Sequence, residues 1–104
     1  MMTAEKRERT ETQFESLVER LLHDEANDLT PLAAGLIAAS HSGYCSDSHT
    51  FSKRLGIEHA LVIRECVQLA HEGGAITIDQ THTRTQRVTY SLTNAGLSMI
   101  EAAN

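Results

Sequence analysis

Phe51-Ser52-Lys53-Arg54-Leu55-Gly56-Ile57 and the residues that follow it decide how this chain is read. Ahead of Gly56, Asp47 or Ser48 offers a side-chain oxygen to cap a short helix running to about Leu55, since such residues satisfy the free amides of a first helical turn. Gly56 supplies the turn after it. Beyond Gly56, Val62, Cys66 and Leu69 fall on one stripe at helical spacing, widened by Leu61, Ile63, Val67 and Ala70. That pattern predicts a second helix from about Glu58 to Glu72, with His59, Arg64, Gln68 and His71 facing elsewhere. Gly73 suits the C-cap.

Downstream, Ala75 to Asp79 and Gln86 to Leu92 alternate and are rich in Ile, Val, Thr and Tyr. They predict two antiparallel strands joined by the polar loop Gln80 to Thr85. Thr93 then caps a last helix with Ala95, Leu97, Met99 and Ile100 on its apolar face. Upstream, Thr30-Pro31 is a helix start, and Leu32 to Ser40 is apolar nearly all round, so this helix is predicted to be buried until Ser42-Gly43 ends it. From Thr3 to His23, Phe14, Leu17, Val18, Leu21 and Leu22 draw one apolar stripe along an otherwise polar helix. The stripe can serve its own core or a partner chain. The first dozen residues carry no apolar anchor beyond Ala4 and the methionines, which predicts a dimer arm or a mobile segment.

Helix, turn, helix, two-stranded ribbon and closing helix is the order of a winged helix-turn-helix: a mainly α fold with a small two-stranded β wing, of α+β class. Its commonest use is reading duplex DNA. With 104 residues and 40% hydrophobic content, the chain forms one domain over residues 1–104, its helix over 1–24 available for dimerisation. Aromatic content of 4% and no Trp leave a core of Leu, Ile, Val and Ala. No apolar run nears the roughly 20 residues that span a bilayer, and Met1 to Thr12 is polar and charged, so a cytoplasmic location with Cys45 and Cys66 reduced is expected.

The net charge of −5 opposes phosphate binding, but its distribution matters more than its sum. Residues 1–50 hold four basic side chains (Lys6, Arg7, Arg9, Arg20) against nine acidic ones. Residues 51–104 hold five basic (Lys53, Arg54, Arg64, Arg84, Arg87) against five acidic (Glu58, Glu65, Glu72, Asp79, Glu101). The acid sits in the front half.

The stretch Phe51 to Gly96 resembles the winged helix-turn-helix of the MarR and PadR transcriptional regulators. Leu55-Gly56-Ile57 matches their turn, Leu69 followed by Gly73 their helix exit, and Tyr90-Ser91-Leu92-Thr93-Asn94-Ala95-Gly96 their "YxLTxxG" exit from the wing. The resemblance implies a homodimer held by the N-terminal and C-terminal helices, with duplex DNA as partner and no membrane association. It places base-reading side chains on the early outer face of the second helix, at Glu58, His59, Ala60, Ile63 and Arg64, and phosphate contacts at Arg84 and Arg87 of the wing. Lys53, Arg54 and His82 complete the expected DNA-binding set. Family members carry more basic charge on this helix, and they continue into longer C-terminal helices than Asn94 to about Ala103.

Six histidines and two cysteines raise a metal-sensor reading, with His41, Cys45 and His49 four residues apart, although Gly43 and several serines interrupt any helix there. The expectation is no metal and no cofactor. Ser46-Asp47-Ser48-His49 has the letters of hydrolytic chemistry without a recognisable spatial arrangement, so no enzyme is expected. The alternative to a DNA reader is a winged-helix protein-interaction module, an accessory or anti-repressor protein. The acids on the second helix and the apolar Ile63 favour it.

Overall fold

The computed structural model describes residues 4–103. Their elements run α1 (Ala4–His23), α2 (Pro31–Ser42), α3 (Ser48–Leu55), α4 (His59–Leu69), β1 (Ile76–His82), β2 (Arg87–Leu92) and α5 (Asn94–Ala103), with a short 3-10 turn at Glu25–Asn27. This is a mainly helical α+β architecture of winged-helix type, its two strands forming one antiparallel sheet. None of the described helices is long and apolar enough to cross a membrane.

The frame is α2. Thr30 accepts the Ala33 N–H at 3.0 Å, Pro31 occupies the first turn, and Gly43 ends the helix in the left-handed conformation (φ 80°). Every residue from Ala33 to Ala39 is buried. Small side chains let neighbours close in: a Cβ on Gly35 would stand 3.1 Å from Phe51 Cζ of α3. Across the other side lies α1, whose Phe14, Leu17 and Leu21 are buried in this chain's own core, with α1 packed against both α2 and α5. Leu22, at the edge of the stripe, stays 38% exposed. Leu21, Leu36, Ile37, Phe51, Val62 and Ile76 are wholly enclosed. Each contributes about 1.5–3 kcal/mol by leaving water.

Between α3 and α4 the chain turns through Gly56 at φ 65°. The Ile57 N–H donates to the Ser52 carbonyl, and the Ser52 hydroxyl donates to the Ile57 carbonyl, so both ends of the turn are clamped. Asp47 is the N-cap of α3, accepting from the Thr50 N–H at 2.8 Å.

Two boundaries differ from the sequence reading. The α4 helix ends at Leu69, three residues before Glu72, and Gly73 (φ 78°) lies in the following turn instead of capping the helix. The reason is a close reversal: Gly74 folds back over the helix end, where a Cβ would meet the Leu69 carbonyl oxygen at 2.0 Å. Strand β1 extends to His82, through residues 80–82 that read as loop. A bulge between Ile78 and Gln80 absorbs Asp79, after which pairing resumes at Gln80↔Thr89 and runs to His82↔Arg87. The wing is therefore longer, and its tip is the four-residue turn Thr83 to Gln86.

A third segment flanks the wing. Asp47 bridges Thr89 in antiparallel fashion, and the Tyr90 N–H donates to the Ser46 carbonyl at 3.1 Å. Tyr90, whose phenol burial pushes far above its ordinary pKa, donates its hydroxyl to the Leu36 carbonyl at 2.7 Å and so pins β2 to α2. Thr93 closes the circuit. Its N–H donates to the Ala75 carbonyl and its hydroxyl to the Gly74 carbonyl, while its oxygen accepts from the Gly96 N–H at 3.2 Å. Gly96 is required because a Cβ there would lie 2.3 Å from the Ala75 carbonyl oxygen.

Candidate nucleic-acid interface

Burial on α4 is narrow. Only Val62 and Cys66 are fully buried, with Ile63, Leu69 and Ala70 packed partly against the core. Ile63 thus turns inward, whereas Ala60, Leu61, Arg64, Val67, Gln68 and His71 are exposed. Leu61 and Val67, which the sequence pattern puts on the core side, remain 45% and 57% exposed. A helix lying against the core along one edge can spare only about a hundred degrees of its circumference for burial, so the widened stripe could not all be accommodated.

The acids near α4 are arranged unequally. Glu65 turns back to accept a hydrogen bond from the Thr30 hydroxyl at the start of α2, which withdraws its carboxylate from the outer face. Residues 60, 61, 64, 67, 68 and 71 then present one cation and no carboxylate, with Glu58 exposed just before the helix. The wing is similar: from Gln80 to Gln86 every residue is exposed and none is acidic, and Arg84 stands in its terminal turn.

Of the basic residues named from the sequence, the structure separates two kinds. Lys53, Arg64 and Arg84 are exposed and make no ion pair or hydrogen bond to any described residue. Arg54 and Arg87 are engaged. Arg54 donates to the Tyr44 carbonyl and lies 4.9 Å over the Tyr44 ring, which itself stacks on Phe14 of α1 at 4.6 Å. It fastens the α2–α3 connection to the first helix. Arg87 faces Asp47, Nε to Oδ1 3.6 Å, and that Nε is buried without a hydrogen-bond partner among the described residues. Burial alone would raise the Asp47 carboxyl, but hydrogen bonds from Thr50 and the Arg87 guanidinium outweigh it and hold the group below the usual carboxylate range.

His59 is also engaged. Its Nε2 lies 2.8 Å from Ser48 Oγ, its ring meets His49 edge-on at 5.7 Å, and Ser48 Oγ accepts the Val88 N–H at 2.9 Å. Sequence reasoning missed Ser48 as the link between α3, α4 and β2, because no spacing rule connects a residue at 48 with partners at 59 and 88. The serine–histidine contact has the reach of a nucleophile and base, but Ser48 is wholly buried and its oxygen already takes the Val88 amide. It has no route to a substrate carbonyl. His82 is exposed on the wing.

The histidines and cysteine raised as metal ligands are dispersed. His41 is exposed at the end of α2, beside a polar groove of about 480 Å³ that also takes in Arg20 and Ser16 of α1. Cys45 is buried, and His49 turns to His59. Among the described residues no group of three or more His, Cys, Asp or Glu is placed to hold a metal ion. Both cysteines are free thiols, Cys45 pushed up to about 11 and Cys66 to about 12 by burial. A second, apolar groove of about 430 Å³ lies between α1, α2 and α3, floored by Phe14, Val18, Leu32, Phe51, Leu55 and Ile57. Comparison with protein-family models finds none that matches this chain, and comparisons with curated proteins and with solved structures find no match either.

Proposed function

We propose that this protein is a sequence-specific DNA-binding transcriptional regulator, a winged helix-turn-helix of MarR or PadR type that acts in the cytoplasm as a homodimer. One observation carries the reading: Glu65 is drawn back to Thr30, leaving Arg64 on an α4 face without carboxylates while residues 80–86 of the wing carry no acid and present Arg84. A basic side chain on such a face can bind a guanine edge or a phosphate, and hydroxyl, amide and imidazole groups along residues 80–86 suit phosphate contacts. The exposed Leu22 of α1 and Leu97 of α5 support a dimer contact through the terminal helices. In that dimer the two α4 helices must stand about 34 Å apart to enter successive major grooves.

The test is a mobility-shift assay against genomic fragments at low salt. The reading expects binding that weakens steeply as salt rises, and that Arg64→Ala with Arg84→Ala abolishes while Arg87→Ala acts mainly through stability. No binding by the wild-type protein, or binding indifferent to the first pair, would sink it.

A second reading has its own support. Leu61 and Val67, exposed on either side of Arg64, suit a protein partner better than a groove of DNA, and favour an interaction module with an accessory or anti-repressor role.

A further inference from the structure

We infer that His59 is a positioning residue, not a partner-reading one, and that with Ser48 it forms a proton-sensitive latch setting the wing against the start of α4. The inference rests on the DNA reading only in taking that relative placement to matter for binding; the latch itself stands on geometry. Three elements meet at one oxygen. Ser48 opens α3, His59 opens α4, and Val88 lies in β2; the three are joined by contacts of 2.8 and 2.9 Å to Ser48 Oγ, which is wholly buried.

The hydrogen count assigns a direction to the bonds in which none is left unpaired. Ser48 Oγ accepts from the Val88 N–H, so its own hydrogen is free to donate, and His59 Nε2 is the partner in reach among the described residues. The arrangement that satisfies every hydrogen at this oxygen has the imidazole neutral, with its hydrogen on Nδ1. If His59 gains a second proton, Nε2 becomes a donor, Ser48 receives two donors, and the buried hydroxyl hydrogen loses its acceptor. The charged and titratable neighbours are His49, whose ring abuts that of His59, Glu58 immediately before it, and the Asp47–Arg87 pair, one residue from Ser48 and Val88 respectively.

The test follows the Val88 amide in the intact protein by hydrogen exchange, beside the ¹⁵N resonances of the His59 ring. At about pH 8 the ring should show an unprotonated Nε2, and Ser48→Ala or His59→Phe should lower Val88 protection about three- to tenfold, the range of one lost hydrogen bond. The two substitutions together should lower it no further than one alone. His59→Gln, which keeps an acceptor oxygen, should restore most of the protection. On acidification to about pH 5, wild-type protection should fall while that of His59→Gln stays level. A protonated Nε2 at pH 8, a Val88 amide indifferent to His59→Phe, or independent addition of the two substitutions would overturn the latch. DNA affinity is measured separately: a wild-type protein that binds no DNA yet shows the Val88 effects loses the proposed function and keeps the latch.

Discussion

The second and fourth helices are of similar length, one apolar nearly all round and the other striped, and the protein holds them in opposite ways. α2 is enclosed from Ala33 to Ala39, and its neighbours are fixed by apolar contact and by the Tyr90 hydroxyl on its Leu36 carbonyl. α4 buries two side chains completely and is located by polar groups at its edges: Ser48 on His59 and Thr30 on Glu65. Apolar burial is non-directional and insensitive to pH, whereas a polar latch is directional and titrates. A frame built the first way stays put, and a helix held the second way is aimed and exposed.

The sharpest break in that contrast is on the α2 side. Leu36→Ala should cost about 2–5 kcal/mol, the range for emptying a wholly enclosed leucine site. At about 4–8 °C per kcal/mol for a domain of this size, calorimetry should register a fall in Tm of at least about 8 °C. The loss should be the same at pH 5 and pH 8. A loss that changed strongly with pH would mean that α2, too, depends on titrating groups.

Thr30 joins the two regimes, since its oxygen caps α2 through Ala33 while its hydroxyl hydrogen holds Glu65 of α4. Thr30→Ala should lower stability by about 1 kcal/mol from the lost cap. On the DNA reading it should also weaken low-salt binding, because the Glu65 carboxylate is released toward the outer face, and Glu65→Gln in the same background should restore binding without restoring Tm. Recovery of both together would assign Thr30 a purely structural role.

Behind the wing the effect is smaller and depends on pH. The Asp47 carboxyl is depressed in the folded state, so its contribution to stability is present above the unfolded value of about 3.9 and is lost as pH falls from there through the folded value. Asparagine caps a helix about as well as aspartate, so Asp47→Asn isolates the charge. Urea unfolding should find the variant less stable than wild type near pH 6, with the gap closing toward pH 3. A gap that held constant would show that the Asp47 charge, on the Thr50 amide and Arg87 alike, contributes nothing.

How far this was legible in the sequence follows the same division. The Thr30-Pro31 start, the buried run over Ala33 to Ala39, the Gly56 turn and the Thr93 cap each act within a few residues, and each is readable from local chemistry. The Tyr90 to Gly96 motif was readable as a signature, and its parts are mechanical: Tyr90 holds α2, Thr93 holds Gly74 and Ala75, and Gly96 admits the Ala75 carbonyl. The α4 boundary and the strand beyond Asp79 were not, because a reversal onto Leu69 and a bulge are decided by partners distant in sequence. For the basic residues the limit is stricter. Composition counts five basic side chains after Phe51, but only the folded chain brings Arg54 to Tyr44 and Arg87 to Asp47.

The smallest expected effect on stability is also the one that separates the two readings of α4. Leu61 and Val67 are about half exposed, so replacing each with glutamine removes little buried surface and should change stability within about 0.5 kcal/mol. If the outer face reads DNA, the double variant should shift DNA affinity by less than Arg64→Ala does, since an apolar side chain supplies no phosphate contact and discriminates only thymine methyl groups. If the face binds protein, the same variant should weaken the interaction strongly, because glutamine forfeits the apolar burial that both side chains would gain in the contact. Arg64→Ala then becomes the milder change of the two. The order of those two effects, measured on folded proteins of equal stability, decides which kind of surface α4 presents.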